Sequence, residues 1–331
     1  MATLLSIVSD MTGELGLPQP TAVATATDPQ TIQLFSLAKR AVKDLQQDHP
    51  WTFLQKLFII NLQNAVTDTG TLTNGSATIT GLLASTITTI NATSASAFII
   101  AADTLGGIPV SARVVSASGT SVTLDSQATA NGASSIQFSQ DTYTLPTDFD
   151  GYIGNTWWDR TNRWALIGPD SPQIDQWHRS GIVVIGPRRH FRQVGSNVTN
   201  APPGQYMWRI WPPLTPATTN PQELVFEYIS TKCISVSGGT TLAENFANDA
   251  DVPLLDGIAL TLGLKWRWAQ AKRYQYADYQ AEWQEYVDRR KARDGGTRVL
   301  SIAPVMDDDY LIDSRNVQDG FYPGTSSVSG Q

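Results

Sequence analysis

The residues able to do chemistry in this chain are few and scattered. Its three histidines, His49, His178 and His190, follow no metal-ligand spacing. A single cysteine, Cys233, rules out zinc ribbons, zinc fingers and an internal disulfide framework. No Gly-x-Ser-x-Gly elbow, phosphate loop or dinucleotide fingerprint occurs. Carboxylates do cluster at Asp148, Asp150 and Asp159, where a glycosidase keeps an acid and a nucleophile. That work needs a buried pair at a fixed separation, and turn and cap roles account better for Asp148 and Asp150. Arg188-Arg189-His190-Phe191-Arg192, after a turn at Gly186-Pro187, could touch phosphates, pair with an acidic patch on another copy, or stay a solvated turn. Lys265, Arg267, Lys272 and Arg273 flank a helix and its end, where cations complement the C-terminus. The expectation is a protein that is not an enzyme, with no cofactor and no metal.

The elements that carry these residues can be read from pattern. Leu4, Val8, Met11 and Leu15 mark one face of a short helix, stopped by Gly16 and Pro18. Asp28-Pro29 starts a second, with Asp as N-cap, an apolar stripe of Ile32, Phe35, Ala38, Val42 and Leu45, and an end before Pro50. Residues 64–141 differ in composition: between Asn61 and Gln140 the charged residues are Asp68, Asp103, Arg113 and Asp125. Short β-type runs there (Ala77–Thr80, Phe98–Ile100, Arg113–Val115, Ser121–Leu124) alternate with turn pairs such as Asn74-Gly75 and Asn131-Gly132. This describes a small inserted β-barrel or sandwich, with a low-complexity loop as the alternative. From Tyr143 to Ile234, strands are expected at Gly181–Ile185, Tyr206–Trp211 and Glu223–Ile234. An irregular or briefly helical patch among them holds Trp157, Trp158, Trp164 and Trp177. Cys233 lies on a strand-like run and reads as a packed thiol.

Two helices close the chain before its tail. The first has one stripe of Leu255, Ile258, Ala259, Leu262, Trp266 and Ala269, and a second of Leu260, Leu264 and Trp268. A helix apolar on two sides must be covered on two sides, by its own core and by a second domain or a neighbouring copy. The next helix has an aromatic face of Tyr276, Tyr279, Trp283 and Tyr286. The tail from Thr297 to Gln331 carries isolated apolar residues, among them Val299, Leu300, Ile302, Tyr310, Leu311 and Phe321. Such a segment is either disordered or a strap laid on a partner.

Composition bounds the class. A chain of 331 residues with 41% hydrophobic content and a net charge of −7 suits a multidomain globular protein and argues against a general nucleic-acid coat. No apolar run is long enough for a membrane span and no signal-peptide pattern opens the chain, so no membrane partner is expected.

Several stretches resemble the head-to-tail adaptor (connector) proteins of short-tailed double-stranded-DNA bacteriophages. They are Thr3–Val8 with Glu14–Pro18, Leu145–Asp150 with Trp157–Trp164 and Gly168-Pro169, and Gly263–Ala269 with Tyr276–Tyr279. The resemblance implies a virion protein at the head–tail interface, a dodecameric ring under the portal protein, with transient contact to packaged DNA. Its helices and C-terminal arm (Leu260, Leu264, Trp266, Trp268 and the tail residues above) would meet the portal or a neighbouring subunit. Trp157, Trp158, Arg188, Arg189 and Arg192 would face the tail, its nozzle protein, or the channel. The expected fold is α+β. A four-helix bundle is built from both chain ends (1–63 and 250–296), around an inserted β domain (64–141) and a Trp/Pro-rich β region (142–249). An extended arm follows (297–331). The rival reading is a carbohydrate-binding or adhesion module of a phage tail, with exposed Trp rings stacking on sugars.

Overall fold

The computed structural model describes residues 2–109, 111–180, 188–195, 206–214 and 222–295. The helices are α1 (Leu4–Glu14), α2 (Pro29–Asp48), α3 (Ala84–Thr93), α4 (Pro172–Arg179), α5 (Gly257–Ala271) and α6 (Ala277–Arg293). The strands begin with β1 (Gln55–Leu62), β2 (Val66–Leu72), β3 (Thr78–Ile79), β4 (Phe98–Asp103), β5 (Val114–Ser118), β6 (Ser121–Leu124) and β7 (Gly132–Gln140). They continue with β8 (Thr142–Thr144), β9 (Phe149–Tyr152), β10 (Trp158–Asp159), β11 (Trp164–Ala165), β12 (His190–Gly195), β13 (Tyr206–Trp211) and β14 (Gln222–Ser230). Three short strands complete the set: β15 (Ile234–Ser235), β16 (Leu242–Ala243) and β17 (Val252–Pro253). The chain divides into two compact units, Met1–Lys56 with everything from Ile229 onward, and Leu57–Tyr228.

In the first unit each helix starts as its sequence dictates. Thr3 accepts a hydrogen bond from the Ser6 N–H, Asp28 from Thr31, and Asp256 from Ile258 and Ala259, each satisfying donors that the first helical turn leaves free. The mix of helix and strand is α+β, as expected. A four-helix bundle, however, is not what the described residues form. α1, α2 and α6 all pack onto α5, which is buried continuously from Ala259 to Leu264 and again at Arg267–Ala269. The core around it is completed by residues outside the α-helices, Trp51, Leu54, Cys233, Ile234 and Phe246, beside the β16–β15–β17 sheet. Apolar periodicity showed that α5 needed cover on two sides; it could not show that loops and a small sheet share the task. Cys233 is fully packed there, as expected, and burial pushes its thiol pKa up to about 12.

The second unit holds two apolar clusters. In the first, the antiparallel sheets β2–β7–β4 and β3–β6–β5 share a core. Leu72, Ile100, Ile136 and Phe138 meet Ile79, Val114, Val122 and Leu124 there, with Ile87 and Ile90 of α3. These residues form a packed core and not a loop, within the single unit Leu57–Tyr228. The second cluster lies among β1–β14–β10–β11, with β9 also on β14, and the sheet β12–β13–β8. Its centre is aromatic: Trp157 stacks on Phe226 (centroids 4.1 Å apart) and on Phe191 (4.4 Å), with Trp208 edge-on at 4.6 Å. The strand expected at Gly181–Ile185 and the arm from residue 297 lie outside the described residues. No described helix is long and apolar enough to cross a membrane.

Candidate functional site

Two polar clusters occupy the second unit, and α4 serves both. Ser171 caps this helix by accepting from the Ile174 N–H, and Pro172 takes the first-turn position where no N–H is required. Eight residues then place Asp175, His178 and Arg179 on one buried face, at i, i+3 and i+4.

The first cluster is ionic. Asp141, with no exposed surface, sits between β7 and β8 and accepts a two-pronged bond from Arg113 (3.1 and 2.8 Å) and a third from Arg179 Nη1 at 2.7 Å. Asp175 takes Arg179 Nε at 2.8 Å, Arg192 Nη1 at 2.8 Å and Arg209 Nη1 at 3.1 Å. Arg192 and Arg209 are direct cross-strand partners on β12 and β13. Like charges so placed repel, and the shared oxygen of Asp175 reconciles them. Four guanidinium groups thus meet two carboxylates. Burial alone would raise both aspartate pKa values. The Arg113 and Arg179 charges outweigh it at Asp141, and those of Arg179 and Arg209 at Asp175, so both are held below the ordinary carboxylate value. Burial lowers the pKa of Arg209, and its neighbour Arg113 adds to the effect.

The second cluster joins Asp170, His178 and His190, whose ligand-type atoms all lie within 4.8 Å of one another. An Asp170 carboxylate oxygen is 3.4 Å from His178 Nδ1 and 3.2 Å from His190 Nδ1, and the two imidazole centroids are 4.4 Å apart. Gly168 makes the approach possible. Its φ is +149°, and a Cβ there would fall 2.5 Å from the Phe191 carbonyl oxygen. With that space open, Ile167 bridges to His190 and the Asp170 N–H donates to the Phe191 carbonyl at 2.9 Å. Asp170 is thereby pinned beside the start of β12. Among the described residues this is the group able to hold a metal ion.

Neither cluster is visible as a sequence motif. The partners come from residues 113, 141, 170–179, 190–192 and 209, a spread that no local spacing encodes. One signal was available: Arg113 is the sole cation between Asn61 and Gln140. A lone cation in so neutral a segment implies a dedicated partner, which is Asp141.

The residues singled out from sequence are distributed as follows. Trp157 lies in the aromatic interior, 3% exposed, and Trp158 is half-buried on β10. Arg189 is buried, donating to the Pro212 carbonyl and to Gln222 Oε1 with Asp159 at 3.8 Å, and burial lowers its pKa. Arg188 is half-buried, and Arg192 serves Asp175. Leu260, Leu264 and Trp268 are buried within the helical unit, and Trp266 is half-buried against Trp283 with the Arg267 guanidinium 4.3 Å from its ring centroid. Arg267 donates to Asp44, and Lys265 to Glu14, both at 2.8 Å. Val299, Leu300, Ile302, Tyr310, Leu311 and Phe321 lie outside the described residues. Of the glycosidase candidates, Asp148 accepts from the Tyr228 hydroxyl at 3.1 Å, and Asp159 closes a turn by accepting from the backbone and side chain of Asn162. Asp150 is exposed.

No protein-family model matches this sequence, and no curated protein is significantly similar to it.

Proposed function

We propose that this chain is a structural head-to-tail adaptor of a short-tailed bacteriophage, which joins the portal ring to the tail and lines part of the DNA channel. The observation carrying this reading is the discontinuous first unit. α1 and α2 from one side of the sequence and α6 from the other pack around α5, while residues 57–228 leave and return as a separate β-rich unit. The stretches that resemble the adaptors fall on α1, α5 and the start of α6 in the first unit, and on the segment from just before β9 through β11 in the second. A helical unit for the portal and a β unit for the tail component follow from that division of labour.

Surface composition supports an interface role. Ile258, 59% exposed at the start of α5, and Tyr274, 60% exposed after it, are large apolar residues that a lone molecule leaves in water. β1, an edge strand of its sheet, exposes Leu57 and Ile59 on alternate positions of one face. The net charge of −7 suits a channel through which DNA must slide without sticking. The glycan-binding alternative loses Trp157, whose ring is enclosed by Phe191, Trp208 and Phe226 and has no free face for a sugar.

The test is to mix the purified chain with its cognate portal ring and image the product by negative-stain electron microscopy. A collar of density on one mouth of the portal is the expected result. Bare portals beside free chains, at concentrations well above micromolar, would overturn the reading. Ile258→Asp, which adds an acidic residue to a first helical turn where it is tolerated, should fold normally and fail to form the collar.

A further inference from the structure

We propose that Asp170, His178 and His190 bind one divalent transition-metal ion, with zinc the best match to the donor set. The three side chains converge from three elements: the loop after β11, the last turn of α4 and the first residue of β12. Donor atoms around a tetrahedral zinc with bonds of roughly 2.0–2.1 Å stand about 3.4 Å apart. The Asp170 oxygen lies 3.4 Å from one imidazole nitrogen and 3.2 Å from the other, which already matches that separation.

The second observation is an orphan. His178 is 5% exposed, and its Nδ1 is buried with no hydrogen-bond partner although an Asp170 carboxylate oxygen lies 3.4 Å away. A buried polar nitrogen without a partner is a cost that folded proteins avoid. A metal ion between that nitrogen and the carboxylate removes it. The donor types narrow the ion. Two imidazoles and one carboxylate suit zinc and its first-row neighbours, while calcium and magnesium favour all-oxygen shells and the absence of thiolate disfavours soft monovalent copper. Three protein donors leave one coordination position for water. The ion would tie α4 to β12 beside Arg192, and so hold in place the helix that delivers Asp175 and Arg179 to the ionic cluster. This inference stands independently of the adaptor reading.

The experiment uses the full chain without an affinity tag, stripped with a chelator, dialysed, and titrated with zinc chloride by calorimetry. Cobalt(II) is added in parallel and followed by visible absorption. The expected result is saturation at about one equivalent, a rise in melting temperature with zinc, and cobalt d–d bands of four- or five-coordinate intensity. Asp170→Asn and His178→Gln should each abolish the stoichiometric step and the zinc-dependent rise in melting temperature. Saturable binding that survives both substitutions would place the ion elsewhere and overturn the proposal. So would a wild-type protein that takes up no zinc, or whose cobalt spectrum stays that of the hexaaqua ion; the cobalt spectrum decides the matter even where a variant fails to fold. In that event the three side chains are a hydrogen-bonded polar cluster and nothing more.

Discussion

Asp141 shows what a single residue can be asked to do. Its carboxylate has lost all contact with solvent, a change that by itself disfavours the charge, and it stays ionised because three hydrogen bonds from Arg113 and Arg179 converge on it. The guanidinium groups depend on it equally, since Arg179 is buried and Arg113 nearly so. Asp141→Asn preserves shape and removes the charge, taking from Arg113 its counterion and from Arg179 one of its two. Truncating one side of a buried ion pair costs about 3–5 kcal/mol, and that loss is expected in urea denaturation. The control is Glu285→Gln on α6, whose pair with Arg289 is exposed on both sides and should change stability by less than about 1 kcal/mol. Equal effects in the two variants would mean that the buried cluster is solvated.

At the scale of elements, α4 matters because an eight-residue helix has few contacts of its own and must be placed by what precedes it. Gly168 does the placing, by letting the chain run against the Phe191 carbonyl in a backbone conformation that side-chain-bearing residues resist. Gly168→Ala should therefore destabilise the protein by about 1–3 kcal/mol. Gly151→Ala, where a Cβ meets nothing within 4 Å, should leave the unfolding midpoint unchanged. Chemical denaturation of the two variants side by side is the check. Elements with their own punctuation were legible in the sequence: Asp28-Pro29 announces α2, and Gly and Asn-Gly turns separate the strands between β2 and β7. α3 was not legible. Ala84–Thr93 is rich in Thr and Ile, which favour strands, and Leu83 offers no side-chain cap. It is helical because Asp68 accepts the Leu83 N–H at 2.7 Å and because the helical turn buries Ile87 and Ile90 together. The packing around α5 was hidden for a related reason. Its two apolar stripes are plain in the sequence, but whether helices, loops or a small sheet cover them depends on how the distant α1, α2 and Trp51 meet the β15–β17 segment just before it.

For the whole molecule, the buried carboxylates tie stability to pH, and each unit has its own. Asp141 and Asp175 lie in Leu57–Tyr228, and Asp251 in the helical unit. Burial raises the Asp251 pKa, but N–H groups of Ala247, Asn248 and Ser237 donating to its carboxylate outweigh this and hold it low. All three aspartates therefore have folded-state values below the ordinary 3.8. A group depressed on folding binds its proton more readily in the unfolded chain, so acid favours unfolding. The stabilisation from these three is fully present above pH 3.8 and drains away as pH falls through their folded values; they add no slope near neutrality. In the second unit the loss should be steep, because protonating Asp141 and Asp175 leaves Arg113, Arg179, Arg192 and Arg209 facing one another without counterions. Unfolding free energy from urea titrations at a series of pH values should be flat, as far as these groups decide it, from neutrality to about pH 5 and fall sharply below about pH 4. Asp251→Asn removes one ionisable group from the other unit, so the variant should be less stable at neutral pH and lose stability less steeply in acid. A variant slope identical to that of the parent would mean that Asp251 titrates alike in the folded and unfolded chain, and that its three N–H bonds do not favour the charged form.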